Sequence, residues 1–529
     1  MSPPPLCSAA SSNNVPLVRT LLLEGESKDG TDGDGRTPLM LACWGGHLGV
    51  VEVLVELETE RGVDRGAGEG DAGSGDTALT LSSQEGHLEV VKLLLAKGAN
   101  VDQATNDGNT PLFVSSQEGH QDIVELLLWH GADFHSAGRF GQTPLYASSF
   151  RGHPDVVRLL LAGGAEVDRA DVEGNTPLLV SSERGHQEVV RLLLAKGANA
   201  NQANHTDGYF QEDCFQNSGA TPLILSSHFG RTEVVKLLLA GGADPNQANV
   251  VVEGDSPLIW SSQNGHTDVV ELLLAGGANP NQTKNNGGTA LIVSSEKGRP
   301  RVVELLLAHG ASANFARNDG GTSLLTSSAN GYTEVVELLL ASGARADQAD
   351  DKGTTPLIMS SKQGHHEVVK LLLANGARAG PISHNGHTPL SLSRANGHQE
   401  VVKLLLAGIA TCRRFAVLSS IGQVRLRPPA PPPSRLLSLL ANSTPDDLVR
   451  VILEYAGEGF AAEKPDYKDE MLEVKRSKNA ELEREVVGLR AADAALRKEI
   501  AKLKVADAAQ REEIMAMKRD GGGGGGGGK

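Results

Sequence analysis

Apolar and polar positions in this chain follow a rhythm of two short runs and a break. From Thr110 to Asp133 the sequence reads TPLFVSSQEGHQDIVELLLWHGAD. The spacing predicts a helix that opens at Pro111, capped by the Thr110 hydroxyl, with proline at the first position where its missing N–H costs nothing. Gly119 predicts its end, because glycine accepts the left-handed conformation of a helix C-cap. Asp122 then precedes Ile123, Val124, Leu126, Leu127 and Leu128, a second helix whose positive end the acid favours and which Gly131 closes. The residues that follow, rich in Gly, Asn and Asp, suit a turn or hairpin.

This pattern recurs. A Thr-Pro-Leu-like step stands at Thr37, Thr77, Thr110, Thr143, Thr176, Thr221, Ser256, Thr289, Thr322, Thr355 and Thr388, at intervals of 40, 33, 33, 33, 45, 35, 33, 33, 33 and 33 residues. Helices this short are marginal alone and must cover their apolar faces with neighbours, so the units have to stack. The fold class expected is all-α, a solenoid of helix-turn-helix units with hairpin-like links.

The unit resembles the ankyrin repeat, through eleven copies of one grammar across residues 35–408. Residues 1–34, with Leu17, Val18, Leu21, Leu22 and Leu23, look like a degenerate N-terminal copy acting as a cap. Two departures from the family pattern stand out. The histidine that usually follows Thr-Pro-Leu is replaced by Phe113, Tyr146, Leu179, Ile224 and Ile259, among others, and the usual Ala-Ala pair of the first helix is Ser-Ser in nine units, as at 115–116. Serine preserves close packing and is able to bond back to a carbonyl one turn earlier.

Composition narrows the picture. Aromatic residues make up only 3% of 529 residues, too few for the cores of several mixed α/β domains, whereas a Leu, Val, Ala and Gly repeat needs few rings. The net charge of −16 divides unevenly: residues 1–412 hold 28 Lys+Arg against 47 Asp+Glu, or −19, and the remainder is +3. An acidic array repels a phosphate backbone, so nucleic acid is not an expected partner. Cysteines at 7, 43, 214 and 412 form neither a disulfide framework nor a C-x-x-C site, which points to a reducing compartment: the cytoplasm, with the nucleus as alternative. No apolar run reaches the ~18 to 20 residues of a membrane span, so no insertion is expected.

Candidate chemistry inside the units is absorbed by the period. His47, His87, His120, His153, His186, His266, His365 and His398 each follow the Gly that ends a first helix, and the resemblance implies that they tie one unit to the next. A G-x-G-x-x-G at Gly68, Gly70 and Gly73 lies in an insertion near 62–76 with Glu69 and Asp71, and reads as a loop rather than a dinucleotide site. No catalytic group, metal ligand or cofactor site is expected. A second insertion, near 205–219, carries Tyr209, Phe210 and Phe215, and the next link holds Val250, Val251 and Val252; side by side these form a candidate partner patch. The resemblance also implies that partners bind across the link tips and the exposed side of the first helices. Trp44, Phe150, Arg151, Glu183, Arg184, Phe229, Gln263, Lys297 and Lys362 are the candidates there.

Beyond the array the composition changes. Residues 409–435 form a basic, proline-rich linker, and 436–458 a helical C-terminal cap, of which the string Pro445 to Leu453 also resembles the opening helix of an F-box. Residues 464–519 place Leu482, Leu489, Leu496, Leu503 and Met517 at heptad position d, and Val486, Ile500 and Ile514 at a. Glu485, Glu499 and Glu513 stand five residues before Arg490, Lys504 and Lys518, the spacing that pairs charges between parallel chains. A parallel homodimer is the expectation, and a single helix lying on the array the alternative. Residues 520–529 are a Gly-rich tail. The function expected is a non-catalytic interaction scaffold or adaptor that self-associates through its coiled coil, with a ubiquitin-ligase substrate receptor as the alternative and an unidentified protein as the partner.

Overall fold

The computed structural model describes residues 4–56, 74–205, 219–249 and 253–420, the last eleven of these as backbone only. They form twelve consecutive helix pairs, from Pro5–Ser11 and Val15–Leu23 to Pro389–Ala395 and Gln399–Ser420, and no strand. First helices pack on neighbouring first helices and second helices on neighbouring second helices, the α-solenoid that the period implies.

Local chemistry sets each boundary. In the unit of Thr110, its hydroxyl accepts the Phe113 N–H at 3.2 Å, Pro111 opens the helix, and Gly119 ends it at φ +82°. Glycine is required there twice over. A Cβ at Gly119 would be strained at that φ and would stand 2.5 Å from Nδ1 of His153, which belongs to the next unit. The second helix, Gln121–Trp129, has His120 at its N-cap and Asp122 in its first turn.

A single apolar core runs the length of the array, from Leu6 to Leu405. Each unit between the two terminal ones contributes a leucine of the first helix and a Val/Ile pair with a leucine of the second, as in Leu178, Val189, Val190 and Leu193, all at most 1% exposed. Each such side chain contributes roughly 1.5–3 kcal/mol by leaving water.

Three lines of polar bonds run beside this core. At the end of the first helices, His Nε2 donates to a carbonyl of the preceding unit, His153 to Gln117 at 2.9 Å and His186 to Phe150 at 3.0 Å, and Arg231 Nε replaces it toward Glu183 at 3.1 Å. At the link tips backbone amides join successive units, Val172 N–H to the Phe140 carbonyl and Asp351 N–H to that of Asp319. Beyond the second helices, Asn246 takes the Asn279 N–H on its Oδ1 at 2.7 Å and donates to the Gly277 carbonyl at 3.1 Å; Asn201, Asn281 and Asn314 repeat the motif.

The links are hairpin-like: each returns through a glycine-centred turn, and among the described residues isolated antiparallel bridges close two of them, Thr283–Thr289 and Ala316–Thr322. Two details depart from the sequence-based picture. The last helix continues past 408 to Ser420. Where earlier units carry a left-handed glycine, such as Gly98 at φ +84°, this one has Ile409, so nothing stops the helix. The serine pairs behave unequally: Ser115 Oγ donates to the Pro111 carbonyl at 2.8 Å, whereas Ser116 Oγ, equally buried, finds no partner. The second serine is unpaired in all nine units, from Ser83 to Ser361.

Candidate protein-interaction face

The exposed ends of the first helices gather side chains that the core does not use. Four consecutive units, those of Thr143, Thr176, Thr221 and Ser256, concentrate the rings. Phe150 stacks on Tyr146 with planes 6° apart and centroids at 6.4 Å. His228 meets Phe229 and Trp260 edge-on at 4.7 and 4.5 Å. Phe150 and Trp260 are half-buried against a small cluster of Tyr146, Leu179, Val180, Ala220, Ile224 and Leu225, separate from the main core. Arginines interleave: the Arg184 guanidinium lies 4.1 Å from the Phe150 ring centroid and that of Arg231 5.9 Å from Phe229. Arg151 is exposed beside them.

The link tips beside these units are apolar as well. Phe140 is 43% and Val172 63% exposed, on adjacent tips joined by the 2.9 Å backbone bond. On the next link, Asn204 and Ala220 exchange backbone and side-chain bonds of 2.8–3.1 Å. That closed stem holds Thr221 in the register of the other caps.

The sequence profile described as ankyrin repeats in three copies matches in six overlapping spans, at residues 2–64, 61–138, 129–204, 205–284, 258–350 and 324–414. The chain belongs to the ankyrin repeat family. No curated protein matches it significantly. Ankyrin repeats are generally protein-interaction modules, and the ankyrin groove of this chain accordingly merits comparison with the residues expected to line it.

Phe150, Arg151, Glu183, Arg184 and Phe229 come together in one stretch of the groove, and Gln263 adjoins it. Trp44 lies apart, in the repeat of Thr37, where Arg36 stacks 5.0 Å from its ring and its Nε1 donates to Glu85 at 3.2 Å. Lys297 and Lys362 are exposed further along the array. Tyr209, Phe210, Phe215, Val250, Val251 and Val252 lie outside the described residues, as do the first insertion, the linker beyond 420, the 436–458 segment, the heptad residues Leu482 to Met517 and the Gly-rich tail. Trp260 and His228 belong to the cluster and were not among the expected residues. The signal for Trp260 is its column: the fourth residue after the cap is aliphatic, Thr or Met in every other repeat from Leu41 to Leu392.

Electrostatics divide the two faces of the ankyrin array. Most second helices carry an acid in their first turn, and several of their cations are paired with an acid three residues away: Lys92–Glu89 at 2.7 Å, Arg158–Asp155 at 2.7 Å, Arg191–Glu188 at 3.2 Å and Lys403–Glu400 at 2.8 Å. In the groove, burial pushes the Glu183 carboxyl above its usual range, against the pull of Arg184 and Arg231. Burial lowers both His186 and His228; the Phe150 carbonyl opposes the shift at His186, and His266 adds to it at His228.

Those depressed imidazoles give a pH dependence of known sign. A histidine with a lowered folded pKa contributes stability above its unfolded value of about 6.5, and the contribution is lost as pH falls toward the folded value. The thermal midpoint of the His228→Phe variant, which keeps a ring against Phe229 and Trp260, is expected to fall less than the wild-type midpoint between pH 7.5 and 5.5. Equal slopes in the two proteins would contradict the assignment.

Among the described residues no three His, Cys, Asp or Glu side chains gather as a metal site, and no helix is long and apolar enough to cross a membrane.

Proposed function

We propose that this chain is a non-catalytic adaptor that holds a partner protein in the groove of the repeats of Thr143 to Ser256 and pairs with a second copy through residues 464–519. The observation that carries the reading is the co-location of Phe150, Phe229 and Trp260 with arginines on the groove face, beside the apolar tips Phe140 and Val172. Aromatic and arginine side chains are enriched at the centres of protein interfaces. The sequence supports the dimer through its heptad seam and through the glutamates that precede basic residues by five positions. Two arrays held together raise the affinity of modest single sites for a partner that both reach. The two buried thiols Cys7 and Cys43 are free, in keeping with a reducing, cytoplasmic setting.

Site-specific photo-crosslinking tests the groove without disturbing the core. A benzophenone side chain in place of exposed Arg151 is expected to capture a partner from native extract, and one in place of exposed Lys196, at the end of a second helix, is not. Equal capture from both positions would remove the groove assignment. In the same preparation, sedimentation is expected to give a dimer for the whole chain and a monomer for residues 1–463.

A further inference from the structure

We infer that the segment received by this groove is acidic: an extended peptide of another protein that carries carboxylates for Arg151 and Arg184 and a large apolar side chain for the rings between them. The inference rests on the groove reading above and adds the chemistry of the partner. On the second helices of the Thr143 and Thr176 repeats, by contrast, Arg158 and Arg191 are already paired with acids one turn away. Arg151 and Arg184 are exposed and form no close ion pair or hydrogen bond among the described residues, Arg184 acting on the Glu183 carboxyl only through space. The Arg184 guanidinium lies over the Phe150 ring at 4.1 Å, and a guanidinium held on a ring face still has its N–H groups to offer to a carboxylate, which it takes with two bonds.

Neighbouring charge points the same way. Arg231 spends its Nε on the Glu183 carbonyl, and it and Arg184 act together on the Glu183 carboxyl, while the neighbouring acids Asp171 and Glu173 act on Tyr146. In a chain carrying −19 over residues 1–412, Arg151 and Arg184 thus place two exposed cations beside aromatic rings on one face. Such a face attracts a negatively charged segment that the acidic second helices repel. Adjacent helices pack about 9 Å apart, so the three steps from Phe150 to Trp260 cover about 27 Å, which an extended peptide spans in about eight residues at ~3.3 Å each.

A random dodecapeptide library displayed on phage and panned against the full chain tests the inference. The expected products are peptides rich in Asp and Glu with a Phe, Trp or Leu among them. Their affinity, followed by fluorescence anisotropy, is expected to drop at least tenfold in the Arg151→Glu/Arg184→Glu double variant, to stay unchanged in Arg158→Glu/Arg191→Glu, and to weaken as NaCl is raised. All four substituted arginines are exposed, and circular dichroism verifies that both variants keep the fold. Neutral or basic peptides that still lose affinity in the first double variant would overturn the acidic chemistry and leave the groove standing. Peptides indifferent to residues 151 and 184, or no selected peptide at all, would overturn the groove reading together with it.

Discussion

Replacing Leu193 by alanine is expected to lower the stability of the array by about 2–5 kcal/mol, measured by urea denaturation followed by circular dichroism. Leu193 is 0% exposed and lies near the middle of the array, in a core continuous from Leu6 to Leu405. The cavity has helices on both sides that are themselves held by their neighbours, so it does not collapse. Stability in stacked repeats is the sum of unit and interface terms. The substitution therefore weakens its own unit and two interfaces, and the transition is expected to broaden as the two halves lose coupling. Lys196→Ala, three residues on and exposed, is the control and is expected to change stability by no more than ~0.5 kcal/mol. A loss below ~1 kcal/mol at Leu193 would mean that the core is not close-packed there.

Alanine at Ser116, Ser149, Ser182 and Ser227 together is expected to have the opposite effect. Each hydroxyl is buried without a hydrogen bond, at a cost of roughly 1–3 kcal/mol. The four sites lie in separate repeats and share no partner, so their effects add to within a few tenths of a kcal/mol each. A gain of about 4 kcal/mol is expected for the quadruple variant. The first helix pair carries the alanine naturally, as Ala10, and the second replaces the hydroxyl with the thiol of Cys43, both fully buried. Ser115, Ser148, Ser181 and Ser226 are the contrast, since each donates to a carbonyl of its own helix at 2.8–3.2 Å. Their quadruple alanine variant is expected to be neutral or slightly less stable. If the two variants denature at the same urea concentration, the unpaired hydroxyls are not the penalty described.

These contrasts also mark what a sequence conveys. Thr110, Pro111, Gly119 and Gly131 act within a few residues of their own position, and a period of 33 residues makes stacking obligatory, so the architecture was legible from local chemistry. The difference between Ser115 and Ser116 was not. It depends on which face of one helix turns toward a free carbonyl, and both residues look alike in the pattern. The extension of the last helix to Ser420 was open to reading in the loss of the stop glycine at Ile409 and was obscured by the compositional change just after it. The groove was half legible. Phe150, Arg151, Arg184 and Phe229 declared themselves by varying within a constant frame; His228 shares the variable column of Phe150 and Glu183 and was readable in the same way, whereas Trp260 sits at a position that is framework in other repeats and joins the groove through its contact with His228.

The three lines of bonds at the histidines, the link tips and the asparagines have a mechanical meaning. They pass through three corners of the cross-section, so any bend lengthens at least one of them and any twist shears all three. Such a body acts as a ruler. The separation of Phe150 from Trp260 is graduated by the number of repeats between them, so a partner of the proposed groove would meet that gauge with its own contact points.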